Sequence, residues 1–163
     1  MVVVMTARPL AAASKIRVRV PAWAAKPMPI LVNNKLAATG IPGTYATLER
    51  TWNDGDTITF TLPTELHLTQ YTGKEASSTQ PRYALEYGPI LLAAIGANTN
   101  SPEARFECDS ASLLKRLKPR SEQPLHFSIA GEPNYSYIPY WAVTNKQTFT
   151  CFPIVAAKAD VPQ

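Results

Sequence analysis

The sequence predicts an all-β fold, a β-sandwich or jelly-roll-like arrangement of antiparallel sheets with one short helix. About eight to ten short runs have strand-like patterns and are separated by Pro, Asn and Gly. Charged residues make up only 17% of the chain and 15 residues are proline, which suits short strands and fixed loops. Since 163 residues is the length of one ordinary domain, we expect a sandwich over 15–155. An N-terminal extension or added strand at 1–14 precedes it, and a C-terminal tail at 156–163 follows.

Strict alternation marks the first strand. In KIRVRVP, residues 15–21, three aliphatic residues share one face and three basic residues share the other, which is typical of a half-buried strand. PILVN follows as a short strand that ends in a turn at Asn33 and Asn34. Residues 37–44 contain two glycines and a proline and are predicted to form a loop.

The stretch LERTWNDGD contains an Asp-Gly turn between two strand-like runs, YATLERTW and TITFTLP. Alternating runs around Asp-Gly are the strongest short-range hairpin signal, so we predict a hairpin here. Trp52 lies four residues after Leu48 in the same strand-like run, so the two side chains are expected on one face, in the core.

The second half of the chain continues the pattern with one exception. RYALEYGPILLAAI predicts two strands broken at Gly88 and Pro89, the second of them buried on both faces. The exception is a helix in SASLLKRL, capped by Asp109 and stopped by Pro119. The other predictions here are an exposed loop in TGKEASSTQP and strands in ELHLTQY, LHFSIAG, YSYIPYWAV and QTFTCFP.

Four segments together resemble a known protein region. They are IRVRVPAWA at 16–24, ILVNNK at 30–35, GTYATLERTWNDGDTITFTLP at 43–63 and RYALEYGPILLA at 82–93. In this order and spacing they resemble the region after the catalytic barrel in bacterial β-L-arabinofuranosidase-type glycosidases, glycoside hydrolase family 127 and relatives. The resemblance extends over roughly residues 15–153, which is nearly the whole chain.

The resemblance implies a noncatalytic accessory β-sandwich domain, and not an enzyme by itself. In that family an (α/α)6 barrel carries a cysteine nucleophile, a glutamate acid/base and a zinc held largely by cysteine thiolates. No residue of this sequence matches those motifs, so no catalytic residue and no cofactor is carried over. A helical-barrel catalytic domain is the implied partner. The valines Val2–Val4 are expected to replace a strand that the family takes from before the barrel.

Composition excludes several other classes. The net charge is +4, but the basic residues are scattered and match no nucleic-acid motif. No run approaches 18 apolar residues, so we expect no membrane span. Cys108 and Cys151 allow at most one disulfide and have no zinc spacing. The start MVVVMTARPLAAAS is a poor signal peptide and is interpreted as a fragment start. The cytoplasm, the periplasm and secretion all stay open.

Titratable groups give weak candidates for chemistry. Glu49, Asp54 and Asp56 are clustered, but aspartates at a hairpin tip are expected to be solvated, so we predict no catalysis there. Asp54 and Asp56 are weak calcium candidates without the full spacing of a calcium loop. His67 and His126 have no partner at ligand spacing and are expected at the surface or the edge of the core.

Aromatic residues are the better candidates, because Trp and Tyr faces stack on the C–H faces of sugar rings. The candidates for contact with a polysaccharide or oligosaccharide are Tyr135, Tyr137, Tyr140 and Trp141. Strand alternation predicts Tyr137 and Trp141 on one face and Tyr140 on the other.

Two alternative functions stay open. One is an autonomous carbohydrate-binding module, and the other is a structural interaction module that self-associates through an exposed apolar face.

Overall fold

The computed structural model describes residues 2–6, 13–74, 76–96 and 103–157. The fold is all-β with sandwich-like antiparallel sheets and a single short α-helix in these residues, as predicted. The chain divides into two compact units, Met1–Glu65 and Leu66–Gln163. This boundary falls inside the single sandwich that the sequence predicts for 15–155. Most of the predicted tail, from residue 158 onward, lies outside the described residues.

Two antiparallel sheets form the described part of the first unit. One has the strand order β1-β6-β3-β4, and the other pairs β2 with β5. The strands are β1 (Val2–Thr6), β2 (Ser14–Arg19), β3 (Met28–Val32), β4 (Lys35–Gly40), β5 (Tyr45–Arg50) and β6 (Thr57–Thr61).

The core of the first unit is built from the alternating residues of these strands. Val18 in β2 and Ile30 in β3 are buried, while the basic residues of β2 are exposed, which confirms the predicted alternation. Trp52 is 1% exposed and its indole Nε1 donates to the Ser14 carbonyl over 3.2 Å. The prediction that Trp52 lies in the core is therefore confirmed.

The predicted hairpin around Asp-Gly is wrong. β5 pairs with β2, whereas β6 pairs with β1 and β3, so the two runs belong to different sheets. The turn itself exists, since Asp56 N donates to Asn53 O over 3.2 Å and Gly55 has φ +80°. Residues 51–56 separate the strands, and within them Trp52 turns into the core. The connection therefore carries the chain from one sheet to the other.

The loop predicted for 37–44 is also wrong over its first part, where β4 runs to Gly40 antiparallel to β3. The predicted turn at Asn33 and Asn34 is confirmed, with φ values of +49° and +64° that suit a two-residue hairpin loop. β4 lies at the sheet edge, and of its residues only Gly40 is fully buried and Ala38 partly buried. A strand with so few buried side chains needs no alternation of apolar and polar residues, so its sequence does not indicate a strand.

The second unit contains a longer antiparallel sheet with the strand order β11-β12-β13-β9-β8-β7, to which β14 adds by pairing with β9. A parallel pair, β10 with β15, accompanies it. The elements are β7 (Leu66–Gln70), β8 (Tyr83–Tyr87), β9 (Ile90–Ile95), β10 (Arg105–Phe106), α1 (Ser110–Arg116), β11 (Leu117–Pro119), β12 (Phe127–Ile129), β13 (Ser136–Pro139), β14 (Phe149–Thr150) and β15 (Ile154–Val155).

Two predictions in the second unit are confirmed. β8 and β9 pair around Gly88 and Pro89, and the consecutive residues Ala93 and Ala94 are both fully buried, so β9 is covered on both faces. Helix α1 begins after Asp109, whose carboxylate accepts from Ser112 N over 2.8 Å. The predicted stop at Pro119 is wrong, because the helix ends at Arg116 and Pro119 lies in β11. In the described part of the chain, no helix has the length and hydropathy needed to cross a membrane.

Candidate functional site

An aromatic surface pocket of about 340 Å³ lies in the second unit, beyond the end of β13. We call it the aromatic pocket. Its lining residues are Tyr140, Trp141, Val143, Thr144, Asn145 and Phe149. Its volume is within the usual range for small-ligand sites.

A short 3-10 helix at Tyr140–Ala142 forms one side of the aromatic pocket. It follows Pro139 and closes where Val143 N donates to Tyr140 O over 3.2 Å. The tight turn directs large side chains outward, leaving Tyr140 52% and Trp141 67% exposed. Phe149 comes from β14 and is 41% exposed, with its ring centroid 6.0 Å from that of Tyr140. Three aromatic side chains therefore face solvent together.

Polar groups border these rings. Gln147 Oε1 accepts from Thr144 N over 2.8 Å and from Thr144 Oγ1 over 3.1 Å, which fixes the turn that carries Asn145. Asn145 is exposed and its amide can both donate and accept hydrogen bonds. An apolar ring surface next to an amide is the combination that can stack on a sugar ring and bond its hydroxyls.

The structure separates the four predicted aromatic candidates. Tyr140 and Trp141 lie in the aromatic pocket, whereas Tyr137 is fully buried and Tyr135 packs edge-on against Phe106 at 5.4 Å. The predicted common face of Tyr137 and Trp141 is wrong, because β13 ends at Pro139 and the 3-10 helix breaks the period of two.

Four lining residues were not among the sequence candidates, and Phe149 and Asn145 are the two of them that can contact a sugar most directly. Phe149 belongs to the predicted strand QTFTCFP, so its aromatic character was visible. Its position beside Tyr140 depends on the pairing of β14 with β9, which joins residues distant in sequence. Asn145 follows the 3-10 helix, whose residues belong to the predicted strand YSYIPYWAV. Neither location follows from local patterns.

Asp56 lies in a different environment from the one predicted. It is 6% exposed, and its carboxylate accepts from Asn33 Nδ2 over 2.6 Å and from Asn53 N over 2.9 Å. The guanidinium of Arg50 lies 3.4 Å away. The hydrogen bonds from Asn53 and Asn33, and then the charge of Arg50, lower the pKa of Asp56 despite its burial. The expectation of a solvated tip holds for Asp54, which is exposed, and is wrong for Asp56.

These contacts give the carboxylate cluster a structural role. Both oxygens of Asp56 already have partners, one of them cationic, which disfavours calcium at Asp54 and Asp56. Glu49 instead forms an exposed ion pair with Lys15 at 3.3 Å. Within the described ranges, no group of three or more His, Cys, Asp or Glu side chains could hold a metal ion.

Both histidines have local partners. His67 lies 3.1 Å from Glu86 across β7 and β8, a pairing that sequence spacing did not reveal. The ring of His126 contacts the Pro124 carbonyl at 2.9 Å. Cys108 and Cys151 are both free thiols, and burial raises the pKa of Cys151.

Comparison with known families connects this architecture to a class of enzymes. Residues 2–64, which span nearly all of the first unit, match the family model described as Beta-L-arabinofuranosidase, GH127 middle domain. The resemblance to glycoside hydrolase family 127 is confirmed. The first unit is thus similar to the middle domain of that family. No protein with a curated description matches the chain.

Solved structures share the fold across both units. A protein described as a glycoside hydrolase matches 95% of this chain with a TM-score of 0.66 and 16% identity. A GH127 beta-L-arabinofuranosidase from Geobacillus Stearothermophilus T6 matches 94% of it with a TM-score of 0.63 and 16% identity. The chain spans only 30% and 28% of the lengths of those proteins. At this identity the likeness concerns the fold.

Proposed function

We propose that this chain is the noncatalytic accessory β region of a GH127-type glycoside hydrolase, and that it contributes to carbohydrate recognition. The observation that carries the proposal is the match of residues 2–64 to the GH127 middle domain. The fold likeness over 95% of the chain, against 30% of the matched glycoside hydrolase, supports a role beside a larger catalytic part. A helical-barrel domain is the partner that this role implies.

The aromatic pocket supports the carbohydrate part of the proposal. Trp141 and Tyr140 supply exposed rings on a turn that is held by backbone and side-chain hydrogen bonds. A backbone held in this way requires little ordering when a ligand binds, which favours stacking on the rings it carries. Asn145 lies where it can bond the hydroxyls of a stacked sugar.

An arabinose-release assay tests the noncatalytic assignment. Purified chain is incubated with a β-L-arabinofuranoside, and free arabinose is measured against a buffer control. We expect no release above buffer. Release that disappears when Glu49, Asp54 and Asp56 are changed together to their amides would overturn the proposal, because the activity would then reside in this chain. The amides preserve side-chain size, and circular dichroism checks their folding.

A second candidate, a structural interaction module, is favoured by a cross-strand row of three apolar residues and one threonine on the four-stranded sheet. Val4 pairs with Thr59, Thr59 with Leu31, and Leu31 with Leu36. Val4 is 62% exposed and Leu36 66% exposed, so the ends of the row face solvent. Exposed apolar surface of this kind favours contact with another protein or with a second copy.

Sedimentation velocity distinguishes this second role. We expect the chain to self-associate at high concentration and the Leu36→Lys variant to shift toward monomer. Thr47→Lys, on the other sheet of the first unit, is the matched control and should self-associate like the unmodified chain. A strictly monomeric chain at all concentrations would count against the interaction module.

A further inference from the structure

A second pocket of about 420 Å³ lies on the β7–β8–β9 part of the second unit. We call it the Glu86 pocket. Its lining residues include Thr69, Tyr71, Glu86, Leu91 and Phe152. None of them is among the sequence candidates for sugar contact.

Glu86 is held in place with one oxygen free. Its Oε2 accepts from Thr69 Oγ1 over 2.7 Å and lies 3.1 Å from His67 Nε2. Within the described residues its Oε1 has no hydrogen-bond partner, and the side chain is 30% exposed. A fixed carboxylate oxygen in a pocket is a strong acceptor for a ligand hydroxyl.

Aromatic rings form another wall of the Glu86 pocket. The ring centroids of Tyr71 and Phe152 are 5.5 Å apart, with an interplanar angle of 56°. Tyr71 N donates to the Arg82 carbonyl over 2.8 Å, and Arg82 Nη1 donates to the Phe152 carbonyl over 3.2 Å. Arg82 therefore ties the backbones of both aromatic residues together. Phe152 remains 40% exposed, which leaves its ring accessible.

One short segment connects the two pockets. Phe149 lines the aromatic pocket and Phe152 lines the Glu86 pocket. Three residue steps separate them, so their Cα atoms are at most about 11 Å apart. Phe149 pairs with Ile95 and Glu86 with Leu91, two residues of β9 that share one face of the sheet. A ligand made of several linked rings can therefore contact both pockets.

We propose that the Glu86 pocket is a second carbohydrate subsite and that the two pockets together bind one oligosaccharide. Sugar rings stack on Phe152 and Tyr71, and a ring hydroxyl donates to Glu86 Oε1. This inference rests on the proposed sugar contact at the aromatic pocket and specifies its ligand as a chain of sugars. A chain that occupies both subsites gains affinity, because its second contact is intramolecular.

Calorimetric titration with arabinobiose and arabinotetraose tests the two-subsite arrangement on the whole chain. We expect the tetraose to bind at least about tenfold more tightly than the biose. Phe152→Ala and the isosteric Glu86→Gln should each remove this gain. Tyr45→Ala is the matched control, since Tyr45 is a 53% exposed aromatic of the first unit. Thermal melting checks that each variant is folded.

The outcomes separate this inference from the proposed function. Equal affinity for the two sugars in the unmodified chain would overturn the second subsite and leave the aromatic pocket intact. A length effect that survives in Glu86→Gln and in a folded Phe152→Ala would likewise overturn it. Binding of neither sugar would overturn the proposed carbohydrate contact and, with it, the inference.

Discussion

Asn33 Nδ2 donates to Asp56 Oδ1 over 2.6 Å and joins the β3–β4 turn to the turn before β6. The same amide accepts from Thr57 N over 2.8 Å through its oxygen. Asp56 also caps Asn53 N on its own turn. The acidic stretch NDGD, which resembles an active-site cluster in the sequence, therefore connects two turns of the first unit.

The Asp56 network predicts acid sensitivity of the first unit. Hydrogen bonds from Asn53 and Asn33 lower the pKa of Asp56 in the folded state below its ordinary value of 3.8. A carboxyl with a lowered folded pKa contributes stability above pH 4, and that stability is lost as the pH falls through the folded pKa. We expect the free energy of unfolding to fall with decreasing pH in this range, and to fall less steeply in Asp56→Asn.

Tryptophan fluorescence in a Trp141→Phe background measures this effect. The remaining Trp23 and Trp52 both lie in the first unit, so their emission follows its unfolding in urea. Asp109→Asn is the control, because Asp109 also has a lowered pKa but lies in the second unit. An identical pH profile with and without Asp56 would contradict the network's role.

Gly40 in β4 is predicted to be intolerant of a side chain. A Cβ there would meet Cγ2 of Val20, which is fully buried. We expect Gly40→Ala to destabilise the first unit by about 1–3 kcal/mol, as overpacking does. The exposed neighbour Thr39→Ala should stay within about 0.5 kcal/mol. Urea unfolding compares the two variants, and equal effects would argue against close packing at Gly40.

Tyr137→Phe is expected to leave stability unchanged or raise it by about 1 kcal/mol. The Tyr137 hydroxyl is fully buried and lacks a hydrogen-bond partner among the described residues, so its desolvation is uncompensated. Burial also raises the pKa of this phenol, so the neutral form persists. Thermal unfolding compares the stability of Tyr137→Phe with that of Tyr45→Phe. Tyr45 is the control because its side chain is exposed. A loss of more than about 1 kcal/mol in Tyr137→Phe would reveal a partner for the hydroxyl.

Local patterns predicted what depends on local chemistry. The alternation in β2, the Asn33–Asn34 turn, the Asp109 cap and the doubly buried β9 all follow from residue periods and side-chain hydrogen bonds. The sequence patterns failed where long-range pairing decides. β5 and β6 flank an Asp-Gly turn but pair with other strands, and they contribute apolar residues to one core from two different sheets.

The candidate site shows the same division. Tyr140 and Trp141 were visible as aromatic residues, but a 3-10 helix after Pro139 sets their directions. Phe149 and Phe152 reach their pockets through the pairing of β14 with β9 and through Arg82. Glu86 meets His67 and Thr69 only because β7 and β8 pair. Alternation patterns within single strands therefore could not predict the contacts between strands that are distant in sequence.

Trp141 is the side chain on which the carbohydrate proposal depends most. Calorimetric titration of the whole chain with arabinan, xylan and cellulose, repeated for Trp141→Ala and for the control Tyr45→Ala, tests it most directly. We predict binding to at least one of these glycans, a loss of at least about fivefold in affinity for Trp141→Ala, and no change for Tyr45→Ala. No binding to any of the three at millimolar sugar, or equal binding by Trp141→Ala, would contradict the account.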